Sequence, residues 1–266
     1  MQYCMYGLFL LIAAILLLGG SQMSLEVILY ILEEYWPLIL RGAAITLSIA
    51  LISTIIGALI GFFIGVMHTI PTRKRTVKTI FLKVINAILT CYVEIFRGSP
   101  MIVQAVVVFY GLAAYGIHLN TFIAGVIVVS LNTGAYMAEI VRGGIISIDK
   151  GQYEAAEAIG MNHFQTMVYV IVPQVFRNSL PATGNQLVMN IKDSAVLNVI
   201  SVSELFFLTK SIQGATFKTF EPFLVTCIVY LIMTISATQI IRLLERKLDS
   251  QKAYEIVEEV QLVEAK

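Results

Sequence analysis

Residues 42–72 carry no Asp, Glu, Lys or Arg, and neither do residues 98–138. An α-helix rises about 1.5 Å per residue and the hydrocarbon core of a bilayer is about 30 Å thick, so about 20 apolar residues make one crossing. The first run therefore predicts a crossing over roughly 43–67. The second is long enough for two, joined by a polar turn at 116–120. Further crossings are expected over 181–207, interrupted by Lys192 and Asp193, and over 222–241, bracketed by Glu221 and Arg242. That makes five. In lipid every backbone N–H and C=O must be paired internally, so spans of this length are helices and the fold class is an all-α integral membrane protein.

Composition agrees: 58% of residues are hydrophobic and 13% charged, with a mean hydropathy of +0.84, against about 45–50% apolar and 25% charged in soluble domains. The net charge of +1 gives no reason to invoke nucleic acid. A sixth apolar segment, YGLFLLIAAILLLGG at 6–20, reads as an uncleaved extra N-terminal helix in preference to a removed signal, because Gly19, Gly20 and Ser21 make a weak cleavage site. The chain thus divides into an N-terminal hydrophobic segment with an outward-facing amphipathic stretch (1–41), a transmembrane domain (42–248) with a loop at about 143–178, and a tail (249–266). Thirteen of the 18 Lys and Arg fall in the 73–83 loop, in the 142–177 loop or at 242–266. Those regions share one side of a five-crossing chain, and the positive-inside rule makes that side cytoplasmic.

Ser53, Gly57, Gly61 and Gly65 recur every four residues and form a nearly side-chain-free stripe suited to close helix packing, within one subunit or between two. Residues 73–97 show a helical period, with Val77, Ile80, Phe81, Val84, Ile85, Ile88, Leu89 and Tyr92 opposite Lys83, Asn86, Thr90 and Glu94. This predicts an amphipathic helix that starts at the cytoplasmic surface and continues past a kink at Pro100.

A small soluble patch, GQYEAAEAIG at 151–160, interrupts this apolar chain. Asp149 with Gln152, and Asn162 with Gln165, have the spacing of capping boxes, and Gly160 can take the left-handed conformation that ends a helix. Two short helices are expected to meet at Gly160, the second stopped or kinked by Pro173 and laying Phe164, Met167, Val168 and Ile171 on its transmembrane neighbours. The first presents Ala155, Ala156 and Ala158 with Glu154 and Glu157, whose carboxylates repel unless a cation meets them. Such a knob suits a groove on another protein, or is simply a well-capped connector whose acidic face meets water.

GQYEAAEAIG followed by IVPQ at 171–174 resembles the EAA loop of ABC-transporter permease subunits, with Glu154, Ala155, Ala156 and Gly160 at matching positions. Around it, YVEIFRGSPMIVQ (92–104), AYMAEIVRGGIISIDKGQ (135–152), QVFRNSLPATGNQ (174–186) and LNVISVSEL (197–205) resemble the polar amino-acid uptake branch, the histidine, glutamine and arginine permeases. Ser99 stands where that branch often has Thr. The resemblance, covering about 42–244, implies the five-helix core of a type I ABC importer in a bacterial inner membrane. It implies as partners a dimer of ABC ATPase subunits, a second permease subunit of the same or a related chain, an extracytoplasmic amino-acid-binding protein and an amino-acid substrate. Glu154, Ala155, Ala156, Glu157 and Gly160 would couple to the ATPases, which would hold ATP and Mg. No Lys follows a Gly anywhere in the chain, so it contains no Walker A phosphate loop, and no cofactor is expected on it.

Polar groups held at bilayer depth mark the expected substrate pathway: Gln104, Asn132, Thr133, Asn190, Lys192, Asp193 and Ser194. Lys192 beside Asp193 could exchange partners with a zwitterion, though neighbouring helical residues point about 100° apart, and both could instead satisfy adjacent helices. Glu139 and Arg142, three apart, read as a helix-surface ion pair. No nucleophile, base and orienting group are grouped, so no catalytic residue is expected. His68, His118 and His163 are isolated, and Cys4, Cys91 and Cys227 have no metal or disulfide spacing. The competing class is a stand-alone ion-coupled carrier or channel, which would want an inverted repeat and buried carboxylates.

Overall fold

The computed structural model describes residues 25–70 and 77–264, and every regular element among them is helical. The leading segment at 6–20 lies outside the described residues. In chain order the helices are α1 (Leu25–Glu34), α2 (Trp36–Met67), α3 (Val77–Gly98), α4 (Met101–Ala114), α5 (Thr121–Ile146), α6 (Lys150–Ala158) and α7 (His163–Thr166). A π-helical turn at Met167–Ile171 leads into α8 (Val172–Asp193), which tightens into a 3₁₀ stretch at Ser194–Ile200; α9 (Leu205–Thr216) and α10 (Phe220–Glu264) follow.

Among the described residues four helices can cross a membrane by length and composition, and five when the bent pair His163–Ile200 and Leu205–Thr216 is taken as one span. Two expected boundaries are corrected. The crossing placed after residue 98 is only the 14-residue α4, too short for the bilayer core, whereas the preceding Thr79–Gly98 is apolar and long enough. Arg97 bounds the charge-free run in sequence but lies inside this helix, paired at 3.6 Å with Glu139 of α5. Nor does a crossing run from 181 to 207. The helix reaches back without a loop to His163, and residues 205–207 belong to α9, set at 56° to it. Ser201, at φ 61°, turns the chain there.

The glycine stripe decides how the centre is assembled. A Cβ on Gly57 would lie 2.6 Å from the Thr133 side chain and one on Gly65 2.5 Å from Val141, while one on Gly61 would collide with Met137. Each glycine thus receives a residue of α5 one turn from the last, and Ser53 donates to Val126 O at 3.2 Å in the same seam. The stripe packs within the chain. Without a hydrophobic driving force in lipid, such backbone proximity supplies the dispersion contact that holds helices together. Val141 and Ile145 at the end of α5, with Ile148 just beyond it, cluster with Met167 and Ile171 of the π turn and Val175 of α8, and Phe62 and Val66 of α2 pack against them, so α2, α5 and α8 form one block. α3 and α4 both pack on α5: Val93 shares a cluster with Ala138, and Ala105 shares one with Ala124 and Val128. The outer surface stays greasy, with Val77, Ile80, Phe81, Val84 and Ile88 of α3 all exposed, as a lipid-facing wall must be.

Candidate functional site

The knob at 150–160 is built by its caps. Asp149 accepts from Gly151 N at 2.7 Å and opens α6, but the box expected with Gln152 does not close, because the Gln152 Oε1 accepts instead from Gln174 Nε2 at 3.3 Å. Gly160, at φ +83°, closes α6. Its N–H bonds Glu157 O at 2.9 Å and Met161 N–H bonds Ala156 O at 3.0 Å, the two bonds of a Schellman motif. Asn162 and Gln165 then form the expected reciprocal box, at 3.0 and 2.9 Å.

This frame turns α6 so that Ala156 is buried while Glu154, Ala155, Glu157 and Ala158 are exposed. Tyr153 packs beneath, against the cluster of Met167 and Ile171, and burial pushes its phenol above the usual tyrosine range. Ala156 therefore positions the helix, and its neighbours form the face a partner could meet. Ile159 and Phe164 flank that face at 78% and 73% exposure. The expectation that Phe164 and Val168 pack on the transmembrane helices is corrected: Met167 and Ile171 do so, and the other two face outward. Pro173 does not stop the second helix either. The π turn ahead of it widens the ladder by one residue, which accommodates a proline that has no N–H to give to that ladder.

The intramembrane polar residues separate into two networks and a surface pair. Gln104 donates to Phe96 O and Ser99 O, both at 2.9 Å, and accepts from Asn132 Nδ2 at 3.0 Å, which clamps the break between α3 and α4. Asn190 donates to Thr54 Oγ1 at 2.9 Å and Thr133 Oγ1 at 3.0 Å, and Gln186 Nε2 reaches its Oδ1 at 3.4 Å. This node joins α8 to α2 and α5. Ser194 is buried and donates to Ile191 O at 3.0 Å. Lys192 and Asp193 are different. Both are exposed, on a face of α8 that also shows Arg177, Pro181, Asn185 and Met189. Among the described residues neither forms an ion pair with a neighbouring helix. A charge facing lipid at the bilayer centre costs about 2.5–3.5 kcal/mol or more, so this face is suited to water or to another subunit.

Glu139 does pair with Arg142, at 2.8 Å, and Arg97 adds itself as a second cation whose guanidinium lies 5.8 Å from the centre of the Tyr136 ring. Sequence reasoning missed Glu204. It is fully buried, caps α9 by accepting from Phe206 N at 2.9 Å and Phe207 N at 2.7 Å, and accepts from Tyr230 Oη at 2.9 Å. The signal was an acidic residue ahead of the apolar run LFFL. Among the described residues no group of three or more His, Cys, Asp or Glu is placed to hold a metal.

Residues 76–250 match a family profile described as binding-protein-dependent transport system inner membrane component. The arginine transport system permease protein ArtQ of Bacillus subtilis is 35% identical over 215 residues, 80% of this chain and 94% of that one. The glutamine transport system permease protein GlnP of Escherichia coli is 34% identical over 214 residues, 80% and 93% of the two chains. Among solved structures, an amino acid ABC transporter crystallised with histidines superposes with a TM-score of 0.72 at 36% identity, over 81% of this chain and 96% of that one. An inward-facing form of the MetNI methionine ABC transporter gives 0.59 at 20% identity, over 83% and 98%, a likeness of fold alone.

Proposed function

Because the chain belongs to the family of binding-protein-dependent transport system inner membrane components, we propose a mechanism in which its solvent-exposed α6 is driven by a separate ATPase. The chain is the membrane-spanning permease subunit of an amino-acid ABC importer. Members of this family work with ATPase subunits that carry the nucleotide chemistry. In our reading a pair of such subunits binds ATP and Mg, a second permease subunit completes the pathway, and an extracytoplasmic binding protein hands over the amino acid.

One observation carries the coupling role: α6 is held rigidly by its Asp149 cap, its buried Ala156 and the Gly160 turn, yet offers Glu154, Ala155, Glu157 and Ala158 to no other part of the described chain. Small side chains let a groove approach the backbone closely, and the two carboxylates suit a cationic rim. Closure of the ATPase pair would displace α6 and α7, and with them the block of α2, α5 and α8, alternating access to the pathway. Lys192 and Asp193 on the exposed face of α8 support its assignment to that pathway. Gln104, Asn132, Thr133, Asn190 and Ser194 support it differently, by holding the wall in shape.

Reconstitution tests this reading. Proteoliposomes containing the permease, its ATPase subunits and the binding protein should accumulate amino acid only while ATP is hydrolysed, and vanadate should abolish uptake. Full-rate movement by the permease alone would refute it. In the complete system Lys192→Met and Asp193→Asn should each change apparent affinity or rate; transport indifferent to both would remove them from the pathway.

A further inference from the structure

The exposed face of α8 ends, on the side of α6, in a cleft of about 490 Å³ lined by Tyr169, Val170, Pro173, Gln174, Arg177 and Asn178. That volume falls within the range of small-molecule sites, about 300–1,000 Å³. The π turn at Met167–Ile171 shapes its floor, and Pro173, having no N–H, removes one donor from the carbonyls of that turn. The walls therefore carry both kinds of partner. Arg177 supplies a planar cationic fork, and among the described residues no carboxylate pairs with it. Backbone carbonyls of the widened turn and the Asn178 amide oxygen can accept from an ammonium.

Arg177 lies 15 residues after Asn162 and 15 before Lys192. It stands about 22 Å of helix below Lys192, on the same exposed face. The cleft is also wired to the coupling helix. Gln174 donates to Val170 O at 2.8 Å and to Gln152 Oε1 of α6 at 3.3 Å.

We propose that this cleft is an exit subsite for the transported amino acid, with Arg177 as the counter-ion of its α-carboxylate. The inference rests on the importer reading above. A zwitterion leaving the Lys192 and Asp193 level meets its next cation at the foot of the same helix, next to the helix that answers to ATP. A guanidinium suits a carboxylate better than an ammonium does, because two parallel N–H donors match its two oxygens. Occupancy from the cytoplasmic side then opposes further release, so accumulated product slows its own import.

The test uses the complete complex in proteoliposomes with its ATPase face outward and the binding protein enclosed. ATP-driven movement of each common L-amino acid is measured, and the one moved fastest is then added on the ATPase side. Parent complex should be inhibited by that amino acid and not by its α-amide, which lacks the carboxylate. Arg177→Gln should raise the half-inhibiting concentration about tenfold, the loss of one charge-assisted bond, with Arg177→Lys intermediate. Co-purification of the ATPase subunits should be unchanged. The subsite is refuted by a parent complex that transports but shows no such inhibition, by an amide that inhibits equally, or by Arg177→Gln behaving as parent. Loss of the ATPase subunits from Arg177→Gln would make the arginine a docking contact and equally refute it. A parent complex that moves no amino acid with ATP refutes the importer reading itself.

Discussion

Substitution of Gly160 isolates backbone conformation from packing. Its φ is +83°, and a Cβ built on it meets nothing within 4 Å, so no side chain is sterically excluded there. The cost of replacement is conformational. An L residue held in the left-handed region loses about 1–2 kcal/mol, Asn loses less because it tolerates that region, and a β-branched residue loses more. The strain falls on the two Schellman bonds, Gly160 N–H to Glu157 O and Met161 N–H to Ala156 O, which fix the angle between α6 and α7. A penalty of 1–2 kcal/mol shifts the population of the native junction by about 5- to 30-fold. Gly160→Asn, Gly160→Ala and Gly160→Val should therefore lower coupling in that order, measured as amino acid moved per ATP hydrolysed at matched expression. Equal coupling in all three, or a loss in Asn as large as in Val, would refute the argument that this junction transmits the ATPase stroke.

Asn190→Leu should destabilise the detergent-solubilised protein by about 1–3 kcal/mol, because it leaves the Thr54 and Thr133 hydroxyls short of a buried partner; thermal unfolding followed by the loss of helical circular dichroism checks this. Glu204→Ala should cost about 1–2 kcal/mol through loss of the α9 cap and of the Tyr230 acceptor, and Glu204→Gln should recover part of that loss in the same assay.

Much of this molecule was legible in the sequence, for identifiable reasons. Charge-free runs reveal helices because lipid excludes unpaired charge, and the four-residue spacing of Gly57, Gly61 and Gly65 reveals a contact because only a bare backbone can approach so closely. Capping residues Asn162 and Gln165 act locally, so their spacing suffices. What failed was any inference in which tertiary pairing overrides a local rule. Arg97 looked like a membrane boundary until Glu139 came beside it from another helix. Pro173 reads as a stop or a kink, and the helix runs on through it by way of a π turn. The residues expected along the pathway could not be told apart by polarity at bilayer depth: only three-dimensional placement shows Asn190 and Gln104 bonded to neighbouring helices while Lys192 and Asp193 stay exposed. Glu204 was overlooked because burial of a carboxylate depends on the amides of Phe206 and Phe207 and the hydroxyl of Tyr230 together.

The chain runs as unbroken helix from His163 to Ile200, changing pitch three times but never entering a loop. About 40 Å of helix thus joins the foot beside α6 to the level of Asn190. If that rod tilted by about 5° about its foot, its far end would sweep through roughly 3.5 Å, a little more than the width of a water molecule, so a small stroke at the end beside α6 would be enough to part or seal a wall at the level of Asn190.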